Sequence, residues 1–185
     1  MPFVKSIRRS QTIISIIIFI MIFIGCWYVT DFKITEIQLS YWGLESKISS
    51  FWNIAVMLIS VSMFFNVRYY IMNHNRMIYK KTLYYMFISV FIAQFIIGLV
   101  TMNHELHNLV AYYYFFVYPL SIFMLSYLNR KTIQYREWLG NLIFSISMVL
   151  LPLIFIHFFK GMAISEISHC VVVLLWSLWI LKDNF

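Results

Sequence analysis

The segment Asn103-His104-Glu105-Leu106-His107-Asn108 sets two imidazoles and a carboxylate within four residues, between apolar runs at 82–102 and 109–128. Imidazole and carboxylate together can ligate a metal, exchange protons, hydrogen-bond a polar ligand or cap a helix. His-Glu-Leu-His is one residue short of the His-Glu-x-x-His spacing that zinc proteases need, so that chemistry fails on geometry. Three more such groups follow at His157, Glu166 and His169. Glu166 and His169 are three apart and share one face of a helix. At 1.5 Å per residue, His169 sits about 10 Å below the start of that helix. An acid and an imidazole at such depth are expensive facing lipid and should face the protein interior or a wet cavity.

Three readings are open for these residues. They could cap helix ends and fix the packing, with no ligand. They could border a polar pocket for a lipid headgroup or small ligand, built from His104, Glu105, His107, His157, Glu166 and His169, with Trp42 anchoring the loop above. Or His104, His107, His157 and His169 could hold a metal or haem, since neutral imidazole suits zinc, copper and iron.

The elements that must position them follow from composition. The chain has 185 residues, 62% hydrophobic and only 11% charged. A soluble domain averages about half apolar and a quarter charged. A fold of this size would leave roughly a third of its chain surface in water, far more than such a composition tolerates. Lipid must be the solvent. Six apolar spans are predicted, at 12–30, 51–67, 82–102, 108–128, 138–159 and 162–181, forming one all-α transmembrane domain. Phe23-Ile24-Gly25-Cys26 resembles a lipoprotein cleavage box, but the first run is long enough to cross a roughly 30 Å core and further spans follow, which favours a retained helix. The loop at 31–50 carries Tyr41-Trp42-Gly43, and its aromatic residues are expected at headgroup level on the bilayer.

All but three of the fourteen lysines and arginines fall at the N-terminus, at 68–81, at 130–136 and at Lys182, leaving Lys33, Lys47 and Lys160 for the alternate loops. By the positive-inside rule both termini are cytoplasmic, and the histidine-rich loops lie on the other side. Basic residues dispersed in this way mark topology, not a nucleic-acid surface. Cys26 and Cys170 form no CxxC pair, and no P-loop, Gly-x-Gly-x-x-Gly or Gly-x-Ser-x-Gly motif is present. No lysine lies mid-membrane to carry a retinal. Gln94 is expected to bond across helices, and the run Tyr112-Tyr113-Tyr114-Phe115-Phe116 with Tyr118 must present rings to both lipid and core.

Several short motifs carry a resemblance. Ser40-Tyr41-Trp42-Gly43, Phe51-Trp52-Asn53, His107-Asn108-Leu109-Val110-Ala111 and Glu166 at the opening of the sixth span resemble a bacterial family of six-helix membrane domains of unknown function. That family is distantly similar to the FGF-receptor-activating and damage-regulated autophagy modulator (DRAM) proteins. Here Trp52 separates Phe51 and Asn53, which stand adjacent in the family pattern. The resemblance implies six helices and lipid-related membrane biology, with no reaction attached.

The leading expectation is a non-enzymatic multi-pass protein of the bacterial cytoplasmic membrane that binds lipid or a membrane-protein partner near the outer leaflet. The Ile-, Asn- and Tyr-rich composition suits an AT-rich bacterium. The alternatives are a metal- or haem-dependent membrane enzyme using the outer-side histidines, an accessory subunit of a larger membrane complex, and, last, a small transporter relaying protons through Glu166 and His169.

Overall fold

Apolar runs of this length can satisfy their backbone groups in lipid only as helices or closed barrels. The computed structural model describes residues 2–30, 33, 38–159 and 162–181, with side chains for Ile7 and from Arg9 onward within them. It is all-helical: α1 (Pro2–Thr30), a short 3-10 helix (Leu39–Gly43), α2 (Ser49–Asn73), α3 (Lys80–Leu99), α4 (Glu105–Asn129), α5 (Tyr135–Phe158) and α6 (Ala163–Trp179). No strand occurs among the described residues. Helices α1 to α5 are each long and apolar enough to cross a membrane. Helix α6, with 17 residues, spans about 26 Å. The expected polytopic helical architecture is the one found. Lys160 and Lys182, which the charge distribution includes, lie outside the described residues.

Each helix packs against its neighbour in the chain, and α6 closes the bundle against α1 and α2. Three helices extend further toward the basic end than the apolar runs suggested. Helix α2 continues past Val67 to Asn73, and α3 and α5 begin two and three residues earlier than predicted. Neither glycine nor proline interrupts these segments, and tyrosine with arginine or lysine is stable at the interface. Helix α4 continues through Pro119 and α5 through Pro152, so neither proline ends its helix.

Aromatic rings fill the centre. Phe87 of α3 stacks on Trp176 of α6 at 5.6 Å and 10°, and Tyr118 of α4 meets both edge-on, at 6.0 and 5.9 Å. A smaller cluster at the far end from the basic turns joins Cys26 of α1, Trp42 of the 3-10 helix, and Trp52 and Val56 of α2. Close helix approach needs small residues, and Gly98 supplies it between α3 and α2. A Cβ there would lie 2.9 Å from Asn53 O and 2.7 Å from Met57 Cγ. A backbone carbonyl cannot step aside without parting the helices. Gly98→Ala should therefore lower stability by about 1–3 kcal/mol. Gly25→Ala, which would meet nothing within 4 Å, should be neutral or slightly stabilising. Thermal unfolding of both variants in detergent reads the difference.

Candidate functional site

At the end of the bundle away from the basic turns, α4, α5 and α6 leave a groove of about 170 Å³. Its walls include Phe115 and Phe116 from α4, Val149 and Leu153 from α5, and Glu166 and His169 from α6. The polar groups are held there by a backbone irregularity. Proline has no N–H, so Pro152 cannot donate to the carbonyl four residues back, at Met148. His169 takes up that carbonyl: its Nδ1 lies 3.2 Å from Met148 O. A carbonyl only accepts, so Nδ1 carries the hydrogen, and a neutral ring then presents Nε2 as a lone pair. The His169 side chain is 0% exposed, and Nε2 has no hydrogen-bond partner. Rings of Phe115 and Tyr114 box it at 4.6 and 5.5 Å between centroids. Ser165 adds a second tie between α6 and the proline turn, its hydroxyl donating to Pro152 O at 3.0 Å.

Glu166, one turn nearer the helix start, is engaged differently. Its Oε2 accepts the Leu39 N–H at 2.5 Å, at the N-terminus of the 3-10 helix. That bond fastens the outer loop to α6. The loop is fastened again where Gln38 Nε2 and Ser40 Oγ reach Met102 Sδ in the α3–α4 turn.

The other predicted site residues share this end but not the groove. His107 is buried and its Nδ1 lies 2.7 Å from Val100 O, the carbonyl capping α3. His104 caps α4, its Nδ1 accepting the Leu106 N–H at 3.2 Å, and remains exposed. Glu105 and His157 are exposed, His157 against the ring of Phe158. The Trp42 ring does not stand at the surface as its residue type suggested. It is fully buried, donates from Nε1 to Thr30 Oγ1 at 3.1 Å, and meets Trp52 edge-on at 4.9 Å. Tucking the indole under the loop satisfies its N–H inside the protein. Asn53 Oδ1 lies 3.0 Å from where a Cβ on Gly43 would stand, which explains a glycine there. Among the described residues, no three His, Cys, Asp or Glu side chains come together in a metal-binding group.

A second polar cluster lies at the basic end, and sequence reasoning missed its centre. Glu137 of α5 is 0% exposed. Tyr70 donates to its Oε1 at 2.5 Å, and His74 Nε2 lies 2.9 and 3.0 Å from its two oxygens. The Arg76 N–H donates to His74 Nδ1 at 3.2 Å, which leaves Nε2–H to face the carboxylate. From the other side Trp176 Nε1 donates to Asn141 Oδ1 at 2.8 Å, and Asn141 Nδ2 approaches the Tyr70 hydroxyl at 3.5 Å. Every donor in this chain points toward Glu137. The signal was present in the spacing: Ser62, Asn66 and Tyr70 on α2 with His74 at its cap, and Glu137, Asn141 and Ser145 on α5, recur every four residues and are all buried.

No family model, curated protein or solved structure matches the chain.

Two outcomes test these assignments. Glu166→Ala should free the Leu39 amide and raise hydrogen exchange in peptides covering 38–44, leaving α2 and α3 protected. Glu137→Ala should destabilise the fold by about 1–3 kcal/mol for each of the two donors left unanswered, measured by denaturant titration in micelles, and Glu137→Gln by less.

Proposed function

We propose that this multi-pass membrane protein binds a membrane lipid in the groove between α4, α5 and α6, and that its role is binding, not catalysis. The observation that carries the reading is a groove with apolar walls and few polar lining residues, Glu166 and His169 among them. Ligand sites are mostly apolar with a few placed polar groups that set orientation. Walls that continue onto exposed Phe116 and Leu153 give the groove a lateral mouth toward lipid. The distribution of lysine and arginine supports cytoplasmic termini and a groove beside the outer leaflet. The Ile-, Asn- and Tyr-rich composition is in keeping with a bacterial cytoplasmic membrane. The resemblance to the six-helix family distantly similar to the DRAM proteins is in keeping with lipid-related work. A membrane-protein partner could be served by the same face, but the depth of the histidine favours a flexible chain over a helix surface.

Val149→Trp should fill the groove mouth without touching a hydrogen bond of Glu166 or His169. Native mass spectrometry of protein taken from its own membrane should find retained lipid several-fold reduced in the variant. Equal retention in both would remove the groove as the site.

A further inference from the structure

A second groove, of about 340 Å³, lies between α1 and α2 at the basic end of the bundle. Small-ligand sites begin at about 300 Å³. Helix α1 contributes Ile7 and Gln11, and α2 contributes Phe65, Arg68 and Met72, with Asn73 at its end. Residues three and four apart share a helix face, so each helix turns one stripe toward the groove. Ile7, Phe65 and Met72 are exposed, which opens the groove to lipid. Helix α2 is about 37 Å long over its 25 residues, more than a roughly 30 Å hydrocarbon core needs. Arg68 and Tyr69 sit in its last two turns, at the level where basic and aromatic residues meet headgroups.

The charge of Arg68 is unanswered. Arg130 and Arg136, at the same end, each lie over a ring, of Tyr127 at 4.4 Å and of Trp179 at 5.6 Å. Among the described residues, Arg68 meets no carboxylate, ring or hydrogen-bond acceptor. The carboxylate at this end among them is that of Glu137, which is 0% exposed and held by Tyr70 and His74. A counter-ion for Arg68 has to come with a ligand. A guanidinium offers N–H donors in a planar fork that suits a phosphate. Gln11 adds an amide on the opposite wall, and Lys80, donating to Met72 O at 3.1 Å, brings a second positive charge beside the groove. An ethanolamine or choline headgroup carries a cation with its phosphate, which these charges would repel.

We propose that this groove binds an anionic phospholipid of the leaflet at the basic end, its phosphate on Arg68 and one acyl chain along Ile7, Phe65 and Met72. By the positive-inside rule that leaflet is the cytoplasmic one. Basic clusters commonly attract anionic lipid diffusely, through the field of all their charges. Here one guanidinium set between apolar walls gives a fixed contact. The site stands at the opposite end from the groove between α4, α5 and α6, and neither reading depends on the other.

The experiment uses the full chain in uncharged maltoside micelles, with a fluorescent phosphatidylglycerol as probe. Unlabelled dioleoylphosphatidylglycerol, dioleoylphosphatidylethanolamine and inorganic phosphate serve as competitors. Titrations are run in about 1 M salt, where the screening length is about 3 Å and diffuse attraction is largely removed. One hydrogen bond to a charged group corresponds to about tenfold in affinity. Phosphatidylglycerol should therefore displace the probe about tenfold more strongly than phosphatidylethanolamine, and inorganic phosphate should not displace it. Arg68→Gln should weaken probe binding about tenfold. Arg76→Gln removes the same charge from an exposed residue that does not border the groove, and should leave binding unchanged. Gln11→Trp should abolish binding with every charge intact. Equal displacement by the two phospholipids on the unaltered chain would overturn the proposal, whatever the variants do. Equal losses from Arg68→Gln and Arg76→Gln would overturn it as well, since diffuse attraction would then suffice. Displacement by inorganic phosphate as strong as that by lipid would overturn it in favour of a free anion.

Discussion

A carboxylate withdrawn from water must be answered by donors from within the protein, and in a membrane there is no solvent to make up a shortfall. Glu137 meets that condition through Tyr70 and His74, each of which is itself held by a further donor. Trp176 extends the chain to α6, so α2, α5 and α6 are joined at the basic end by bonds that all converge on one negative charge. Hydrogen bonds to a charged acceptor are roughly twice as strong as neutral ones. In a bundle whose helices gain little from apolar contact with each other over contact with lipid, such a point fixes the relative rotation of helices that greasy side chains alone would leave loose.

The same rule operates at the other end, and there it is met incompletely. Pro152 removes a backbone donor, Met148 O is left over, and His169 reaches across from α6 to take it. Glu166 is absorbed by the first amide of the 3-10 helix. Among the described residues that line the groove, His169 Nε2 is left buried without a partner. Near the basic turns the bonds around Glu137 form a closed circuit, although Ser62 Oγ and Asn66 Oδ1 on the same face of α2 are themselves buried without partners. Buried polar atoms without partners are rare enough in folded proteins that each calls for a reason.

Much of the fold was legible in the sequence because hydropathy and charge distribution are read along the chain, and crossings are a property of the chain. Which side chains meet is a property of helix rotation, which neither quantity reports. Glu137 follows Arg136 at the edge of an apolar run and so looks like one more interfacial charge. Only its spacing with Asn141 and Ser145 marks it as inward. Glu166 and His169 were found because three-residue spacing deep in a short apolar helix is itself a rotational signal. His104, Glu105, His107 and His157 stand near them in sequence terms, yet sit in end-of-helix positions where capping a backbone group is the nearest use for an imidazole. Trp42 looked interfacial by type. Its place in a short 3-10 helix turns the indole inward, onto Thr30 and Trp52.

The aromatic run on α4 ties the core to the groove. Tyr114 and Tyr118 turn inward and are buried, Tyr112 and Phe116 turn toward lipid, and Phe115 stands between them against His169. Closing the groove by sliding α4 toward α6 would carry Tyr118 out of its edge contacts with Phe87 and Trp176. Each such aromatic pair contributes roughly 0.5–1.5 kcal/mol beyond simple burial. Contraction would also press Phe115 into the imidazole it already touches. The opening beside His169 thus persists because the core next to it is well packed: the rings that make the bundle rigid are on the same helix as the rings that wall the groove, and they cannot move separately.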